Sequence, residues 1–285
     1  MIKKLAWCTD IHLNFLHKEQ RMRFYHELAK THPDAVLITG DIAEGDDVVE
    51  KLNEMQEALD RPIYFVLGNH DFWHSSAEAM DEKILSAIDK NLWYLGSGLA
   101  QPLDDKTVLV GVDGWADGRL GDYENSTVQL WDSQLIDNLA KGAAYTVSGK
   151  YDKKGLLSAM QKEADMDAWW LGQQLSECLS LKPERIIIGT HIPPFKEASK
   201  YRGKISDDSF LPFYTCKAIG DVLLQYANDN PEIKFEVYCG HTHGAAVFQA
   251  AANLVVEAGA AEYREPALQK IIHIGGCNKP ESVTN

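Results

Sequence analysis

The sequence lacks most of what would place it outside a cell or on a polyanion. Five cysteines, Cys8, Cys178, Cys216, Cys239 and Cys277, are scattered through 285 residues, odd in number and never in a Cys-x-x-Cys pair. That spacing excludes a disulfide framework and a zinc ribbon. Free thiols in a chain of this size point to a reducing compartment, and a cytoplasmic location is expected. Basic residues are few: 28 Lys and Arg stand against 42 Asp and Glu, a formal charge of −14. A nucleic-acid track or an anionic membrane surface would want clustered cations, so neither is an expected partner. A small anionic substrate remains compatible, because bound metal ions can make one site on an acidic protein positive. Only Leu5–Cys8 separates Lys3-Lys4 from Thr9-Asp10, so no signal peptide is expected. The longest weakly polar stretch, Gly244–Ala261, is interrupted by Gln249, Asn253 and Glu257 and suits two strands better than a membrane span. There is no internal repeat and no low-complexity segment.

What is present is an ordinary globular composition, 45% hydrophobic and 25% charged, which excludes a disordered chain. Length and composition fit one domain spanning residues 1–285. Ile2–Cys8, Ala35–Thr39 and Ile63–Leu67 are short apolar runs that read as strands, with helical stretches at Glu19–Lys30 and Asp46–Leu59 between them. Continuous apolar runs separated by helices predict a parallel sheet covered on both faces, and hence an α/β fold. The rhythm returns with a helix over Leu156–Leu181, a strand at Arg185–Gly189, a helix over Thr215–Asn228 and a strand at Phe235–Cys239. Further strands are expected at Val108–Val112, Val247–Gln249, Leu254–Glu257 and Ile271–Ile274, and a helix over Thr127–Ala140. Lys141–Gly155 has no apolar face and reads as a loop or exposed hairpin, so the irregular region 114–155 is expected to be a lid or insertion.

Each of five predicted strands is followed at once by turn-forming or ligating residues. They are Asp10-Ile11-His12, Gly40-Asp41, Gly68-Asn69-His70-Asp71, Thr190-His191 and Gly240-His241-Thr242-His243. Ligands of an open parallel sheet bind outside the carboxyl ends of its strands, so the five clusters are expected to meet on one edge of one sheet. Singly these motifs mean little; Gly-Asp after a strand is usually a turn. Asp10, Asp41, Asn69, His12, His191, His241 and His243 together bring two carboxylates, one amide and four imidazoles without a thiolate, a set that suits Mn, Fe, Co, Ni or Zn. Seven donors exceed what one tetrahedral ion needs and suit two ions about 3.5–4 Å apart, the arrangement that hydrolyses phosphate esters.

With these motifs in this order, the chain resembles the calcineurin-like metallophosphoesterases from Asp10 to His243. The resemblance implies a four-layer α/β/β/α sandwich, with the strands between Val247 and Ile274 in its second sheet. It implies two divalent or trivalent transition metal ions, Mn or Fe favoured over Zn, Co or Ni. Asp10, His12 and His243 would hold the first, Asn69, His191 and His241 the second, and Asp41 would bridge them. A metal-bridging hydroxide would attack phosphorus in line. His70 would contact a phosphate oxygen or protonate the leaving oxygen, with Asp71 fixing its ring. The second motif, Gly40-Asp41-Ile42-Ala43-Glu44-Gly45, lacks the Arg of the protein phosphatases in that superfamily, and the third ends in Asp71 rather than Glu. A protein phosphatase is therefore not expected. Thr190-His191-Ile192-Pro193-Pro194 is closest in pattern to bacterial phosphodiesterases of cyclic nucleotides and small diesters. The expected activity is hydrolysis of a small phosphodiester. A phosphomonoesterase or nucleotide pyrophosphatase on the same site is the alternative, and a non-catalytic metal-binding scaffold a third reading. Arg119 and Arg202 are candidate phosphate contacts, and Phe72, Trp73, His74, Asp122 and Tyr123 candidate pocket residues. His17, His26, His32 and His273 read as structural or surface residues.

Overall fold

Residues 1–87, 91–146 and 148–275 are described by the computed structural model; Cys277 lies outside them. The strands are β1 (Lys4–Cys8), β2 (Ala35–Thr39), β3 (Ile63–Val66), β4 (Leu92–Tyr94), β5 (Gln101–Pro102), β6 (Thr107–Gly111) and β7 (Arg185–Gly189). After them come β8 (Lys200–Tyr201), β9 (Lys204–Ile205), β10 (Lys234–Cys239), β11 (Ala246–Ala251), β12 (Leu254–Ala258) and β13 (Lys270–His273). Among the described residues they form one sheet of order β13-β1-β2-β3-β4, a second of order β11-β12-β10-β7-β6-β5, and the small hairpin β8-β9. The pairs β1-β2, β2-β3 and β3-β4 are parallel, as are β6-β7, β7-β10 and β10-β12.

Strand periodicity explains why these strands read as unbroken apolar runs. Leu5, Trp7, Ala35, Leu37, Tyr64 and Val66 of the first sheet pack with Leu109, Ile187 and Tyr238 of the second. The alternate residues, such as Ala6, Val36, Phe65, Val110, Ile188 and Val237, belong to the cores under the helices. Each sheet therefore has one face on helices and one on the other sheet, giving a four-layer α/β/β/α sandwich.

Helices α1 (Lys18–Ala29), α2 (Asp47–Leu59), α3 (Ala77–Ala87), α4 (Asp132–Leu135), α5 (Asp137–Ala143), α6 (Lys153–Ser180), α7 (Leu211–Tyr214) and α8 (Lys217–Asp229) complete the chain. In α6 the buried positions Leu156, Met160, Ala164, Ala168, Leu171, Leu175 and Cys178 recur at three- and four-residue spacing, and Asp152 caps its start by accepting from the Lys154 and Gly155 amides. None of these helices is long and apolar enough to cross a membrane.

Three expectations need correction. The late strands do not share one sheet: β13 pairs antiparallel with β1 in the first, while β11 and β12 extend the second. The chain between Ala258 and Lys270 is long enough to cross back, a step hydropathy does not mark. The helix over Thr127–Ala140 starts only at Asp132 and breaks at Ile136, whose extended backbone pairs with Ser75. The helix α3 and strand β4 went unrecognised because α3 buries only Met80 and Ile84 and β4 has three residues. The four cysteines among the described residues are free and buried, behaving as small hydrophobes.

A buried acidic cluster joins the two sheets. The Asp113 carboxylate, after β6, accepts the Leu67 amide at 2.7 Å and the Tyr94 hydroxyl. Its carbonyl accepts the His191 amide at 2.7 Å. The next residue, Gly114, donates its amide to Asp167 of α6 at 2.7 Å. Burial pushes the Asp167 carboxyl up to about 7, with Asp81 and Glu163 adding repulsion. An unfolded carboxyl releases its proton near pH 4, so from there to about pH 7 the native state holds a proton the unfolded state has lost. This group therefore lowers stability as pH rises through that window. We predict that Asp167→Asn loses less stability than the parent between pH 5 and pH 8, by about 1–3 kcal/mol in urea titrations; parallel pH profiles would show Asp167 ionised throughout.

Candidate metal centre

Every predicted cluster follows a strand end, but on two sheets rather than one. Asp10 follows β1, Asp41 follows β2 and Asn69-His70 follows β3 in the first sheet; His191 follows β7 and His241 and His243 follow β10 in the second. Face-to-face packing brings the two carboxyl edges together. The His191 ring crosses the gap, with Nδ1 2.9 Å from the Thr39 carbonyl.

The turns that aim these side chains are strained. Asp10, His12, Asp41, His241 and His243 all have positive φ, between 40° and 69°. Non-glycine residues seldom occupy this region, and the cost is about 1–3 kcal/mol each. Gly40 sits among them at φ +86°, where a Cβ would lie 2.4 Å from His191 Nδ1. Only glycine lets the β2 turn pass beneath that ring.

Two donor sets form around Asp41. One ligand atom from each of Asp10, His12, Asp41 and His243 lies within 4.8 Å of the others. His12 Nε2 is 3.6 Å from Asp41 Oδ2, and His243 Nε2 is 3.4 Å from Asp10 Oδ1. On the other side, Asn69 Oδ1 is 3.1 Å from His191 Nε2 and 2.9 Å from His241 Nδ1, while His191 Nε2 is 3.4 Å from Asp41 Oδ1. Backbone amides fix the two carboxylates: His241 N–H donates to Asp10 at 3.0 Å and His70 N–H to Asp41 at 3.0 Å.

The hydrogen-bond pattern fits cations in both sets. His191 Nδ1 and His241 Nε2 donate outward to the carbonyls of Thr39 and Phe213. The inward ring nitrogens therefore present lone pairs, and these face the Asn69 and Asp41 oxygens. Lone pair against lone pair is unfavourable unless a proton or a cation lies between, and separations near 3 Å suit two ligands of one ion with bonds of about 2.1 Å. Both ring nitrogens of His12 are buried with no hydrogen-bond partner, a cost that a bound ion would remove at the ligating nitrogen.

Electrostatics point the same way. Burial lowers His12 to about 4 and His241 to about 3, leaving both neutral and able to ligate. Burial raises Asp10 and Asp41, but the surrounding histidines outweigh it and keep both carboxyls below their usual range. Burial alone would lower His191, yet Asp41 beside it raises it to about 10; a cation would replace that proton.

His70 and Asp71 do not pair as the resemblance implies. Asp71 is fully buried and accepts from the Ile42, Ala43 and Gly68 amides at 2.8–2.9 Å. Three backbone donors hold the carboxylate away from the ring, so Asp71 ties the β2 and β3 turns together. His70 stacks on Trp73 with centroids 3.9 Å apart, and its Nδ1 is 3.5 Å from Glu44 Oε1. Glu44, inside the second motif, is thus the carboxylate nearest the ring.

The weaker candidates scatter. The Arg119 guanidinium is engaged by Asp117 at 3.1 Å and Asp165 at 2.8 Å. Arg202 lies against Tyr201 at the β8-β9 turn. Asp122 accepts from Asn125, Tyr123 donates its hydroxyl to the Lys153 carbonyl, and the His74 amide donates to Leu135. Trp73 lines the cleft over the donors, and Phe72 lines a separate apolar cavity. Sequence motifs missed two residues. Tyr263 stands with its ring 4.7 Å from His12 and 5.0 Å from His243. Asp132 accepts from Asn69 Nδ2 at 3.0 Å and Trp73 Nε1 at 2.8 Å, which turns the Asn69 oxygen toward the histidines. Neither carries a local motif; an acidic residue within a predicted helix is too common a signal.

The chain belongs to the calcineurin-like phosphoesterase family, whose model matches residues 3–245. No curated protein sequence matches it. Among solved structures it is similar to phosphopantetheinyl hydrolase from Mycobacterium tuberculosis, at 13% identity over 99% of this chain and 98% of that one, with a TM-score of 0.61. It is also similar to a dimetal phosphatase from Danio rerio, at 12% identity over 90% and 87% of the two chains, with a TM-score of 0.54. At these identities the likeness is one of fold.

Asp132 generates a prediction. Removing the partner that orients a metal ligand costs about 10–100-fold in affinity. Asp132→Ala should weaken Mn²⁺ binding by that factor at one of two sites in a calorimetric titration and spare the other. Two unchanged sites would show that Asn69 is held without it.

Proposed function

We propose that the chain is a dinuclear-metal phosphoesterase whose substrate is a small phosphodiester. The observation that carries this reading is the pair of donor sets sharing Asp41, with His70 beside them at the mouth of a cleft. Asp10, His12 and His243 would hold one ion, Asn69, His191 and His241 the other, and Asp41 both. The mixed nitrogen and oxygen donors suit Mn or Fe. When bound, two such ions supply Lewis-acid charge for the phosphoryl oxygens and acidify a water into a nucleophile.

The protein's own part is orientation and proton transfer. The cleft, about 210 Å³, is lined by Asp41, Asn69, His70, His241 and His243 on its floor and by aromatic side chains, Trp73 and Tyr263 among them, on its walls. Such a wall suits an ester of modest charge, which favours a diester monoanion over a monoester dianion. His70, with Nδ1 toward Glu44, is placed to deliver a proton from its other nitrogen to the leaving oxygen, and stacking on Trp73 holds the ring. Glu44 takes the role that the resemblance gave to Asp71.

The reading extends to the whole chain: one domain over 1–285, in which the region 114–155 supplies the cleft wall through Leu130 and Trp131. Four buried free thiols suit the cytoplasm.

Hydrolysis of bis-p-nitrophenyl phosphate with Mn²⁺ should exceed that of p-nitrophenyl phosphate and stop on chelation. His70→Ala should lower kcat by about 10²–10⁴-fold on a diester with an alkoxide leaving group, and less on p-nitrophenolate, which leaves without protonation. A preference for the monoester would overturn the diester assignment. A chelator-insensitive rate would overturn the metal assignment.

A further inference from the structure

A second cavity adjoins the metal centre. It is narrow, with about 30 Å³ of free volume, and Asn69 and Leu130 line both it and the cleft. The two spaces therefore share a wall at Asn69 and Leu130, and the partly exposed Leu130 side chain is the one a group on phosphorus would displace to enter the cavity.

The cavity wall is apolar and drawn from three layers of the fold. Phe72 follows β3, Trp115 follows β6, Ile136 and Leu139 come from the α4-α5 segment, and Met160 from α6. All five are buried. Two of the polar groups on the wall are engaged elsewhere. Asp132 accepts from Asn69 and Trp73, and the Ser133 hydroxyl donates to the Leu130 carbonyl at 2.8 Å. The remaining polar side chains, Asn69, Gln129 and Tyr151, are a minority on the wall, so a sugar or a base would find few partners there. An apolar group loses nothing on transfer into such a space and gains from leaving water.

We propose that this cavity is the subsite for an unbranched apolar chain on the phosphoester substrate, so that the enzyme's substrates are amphiphilic: a phosphoryl group at the metals and an alkyl or acyl chain beneath the 114–155 segment. The proposal deepens the phosphoesterase reading and rests on it for the phosphoryl end. The narrow space between Phe72, Ile136, Leu139 and Met160 selects a slender chain over a branched one. Trp131, 65% exposed at the cleft rim, marks the side from which such a substrate arrives.

The probes are n-alkylphosphonates of two, four, six and eight carbons, titrated calorimetrically into the Mn²⁺-loaded protein. Burial of each methylene should tighten Kd by about fourfold until the cavity is full. Met160→Phe, which fills the cavity, should leave ethylphosphonate affinity unchanged and abolish the gain with length. Val128→Asp, at a less buried point of the same wall, should do so without overpacking the core. A Kd independent of chain length in the parent protein would overturn the proposal. A metal-free arm separates its failure from that of the phosphoesterase reading. In chelator, 1-hexanol should raise the Tm of the parent but not of either variant. If hexanol stabilises the protein while no phosphonate binds, the metal reading fails and the apolar subsite stands. If phosphonates bind with no chain-length effect and hexanol does nothing, the subsite fails and the metal reading stands.

Discussion

The arrangement depends on the contact between Asp41 and His191 across the edges of two sheets. Asp41 ends a strand of the first sheet and His191 a strand of the second, and the ring nitrogen lies 3.4 Å from the carboxylate. Both side chains are almost wholly removed from water. Bringing an ionised carboxylate and several imidazoles into such a place is unfavourable unless a positive charge stays with them. The outward N–H groups of His191 and His241 are already committed to backbone carbonyls, so the inward lone pairs can be satisfied only by a proton or a cation. The sandwich therefore builds a demand for positive charge at its centre, and a phosphate ester is a ligand that such a charge attracts.

Strain is held by the layers beneath. Five of the seven proposed metal ligands lie in the left-handed region, a conformation each turn would leave if free. They stay because the strands before them are locked between two cores. Leu5, Trp7 and Leu37 pack against Ile187 and Tyr238, while Cys8, Ile38 and Cys239 pack under helices. Asp71 adds a direct tie, joining the β2 and β3 turns through hydrogen bonds accepted from three backbone amides. Asp113 does the same between β3, β6 and the His191 turn. Two buried acids outside the donor sets thus fix the loops that carry the donors.

Much of this was legible in the sequence, because apolar strands ending in Gly, Asp, Asn and His are a local signal. Ala35–Thr39 and Arg185–Gly189 coincide with β2 and β7 to the residue. What local pattern could not show was which sheet a strand joins. Ile271–Ile274 has the same alternation in either sheet, and only the pairing of Lys4 with His273 places β13 beside β1. The same blindness put five clusters on one sheet edge instead of two. Roles decided by orientation were also hidden. Asp71 follows His70 in sequence, yet its carboxylate points to backbone amides, and Glu44 from another turn stands nearer the ring. Asp132 and Tyr263 reach the centre from segments with no motif, through tertiary packing alone.

The central claim is that Asp41 joins two metal sites. Crystals grown with Mn²⁺ and measured for anomalous scattering test it directly. Two peaks about 3.5–4 Å apart, both in contact with the Asp41 carboxylate, are the result this account predicts. A single peak, or two peaks of which one lies beyond reach of Asp41, would contradict it.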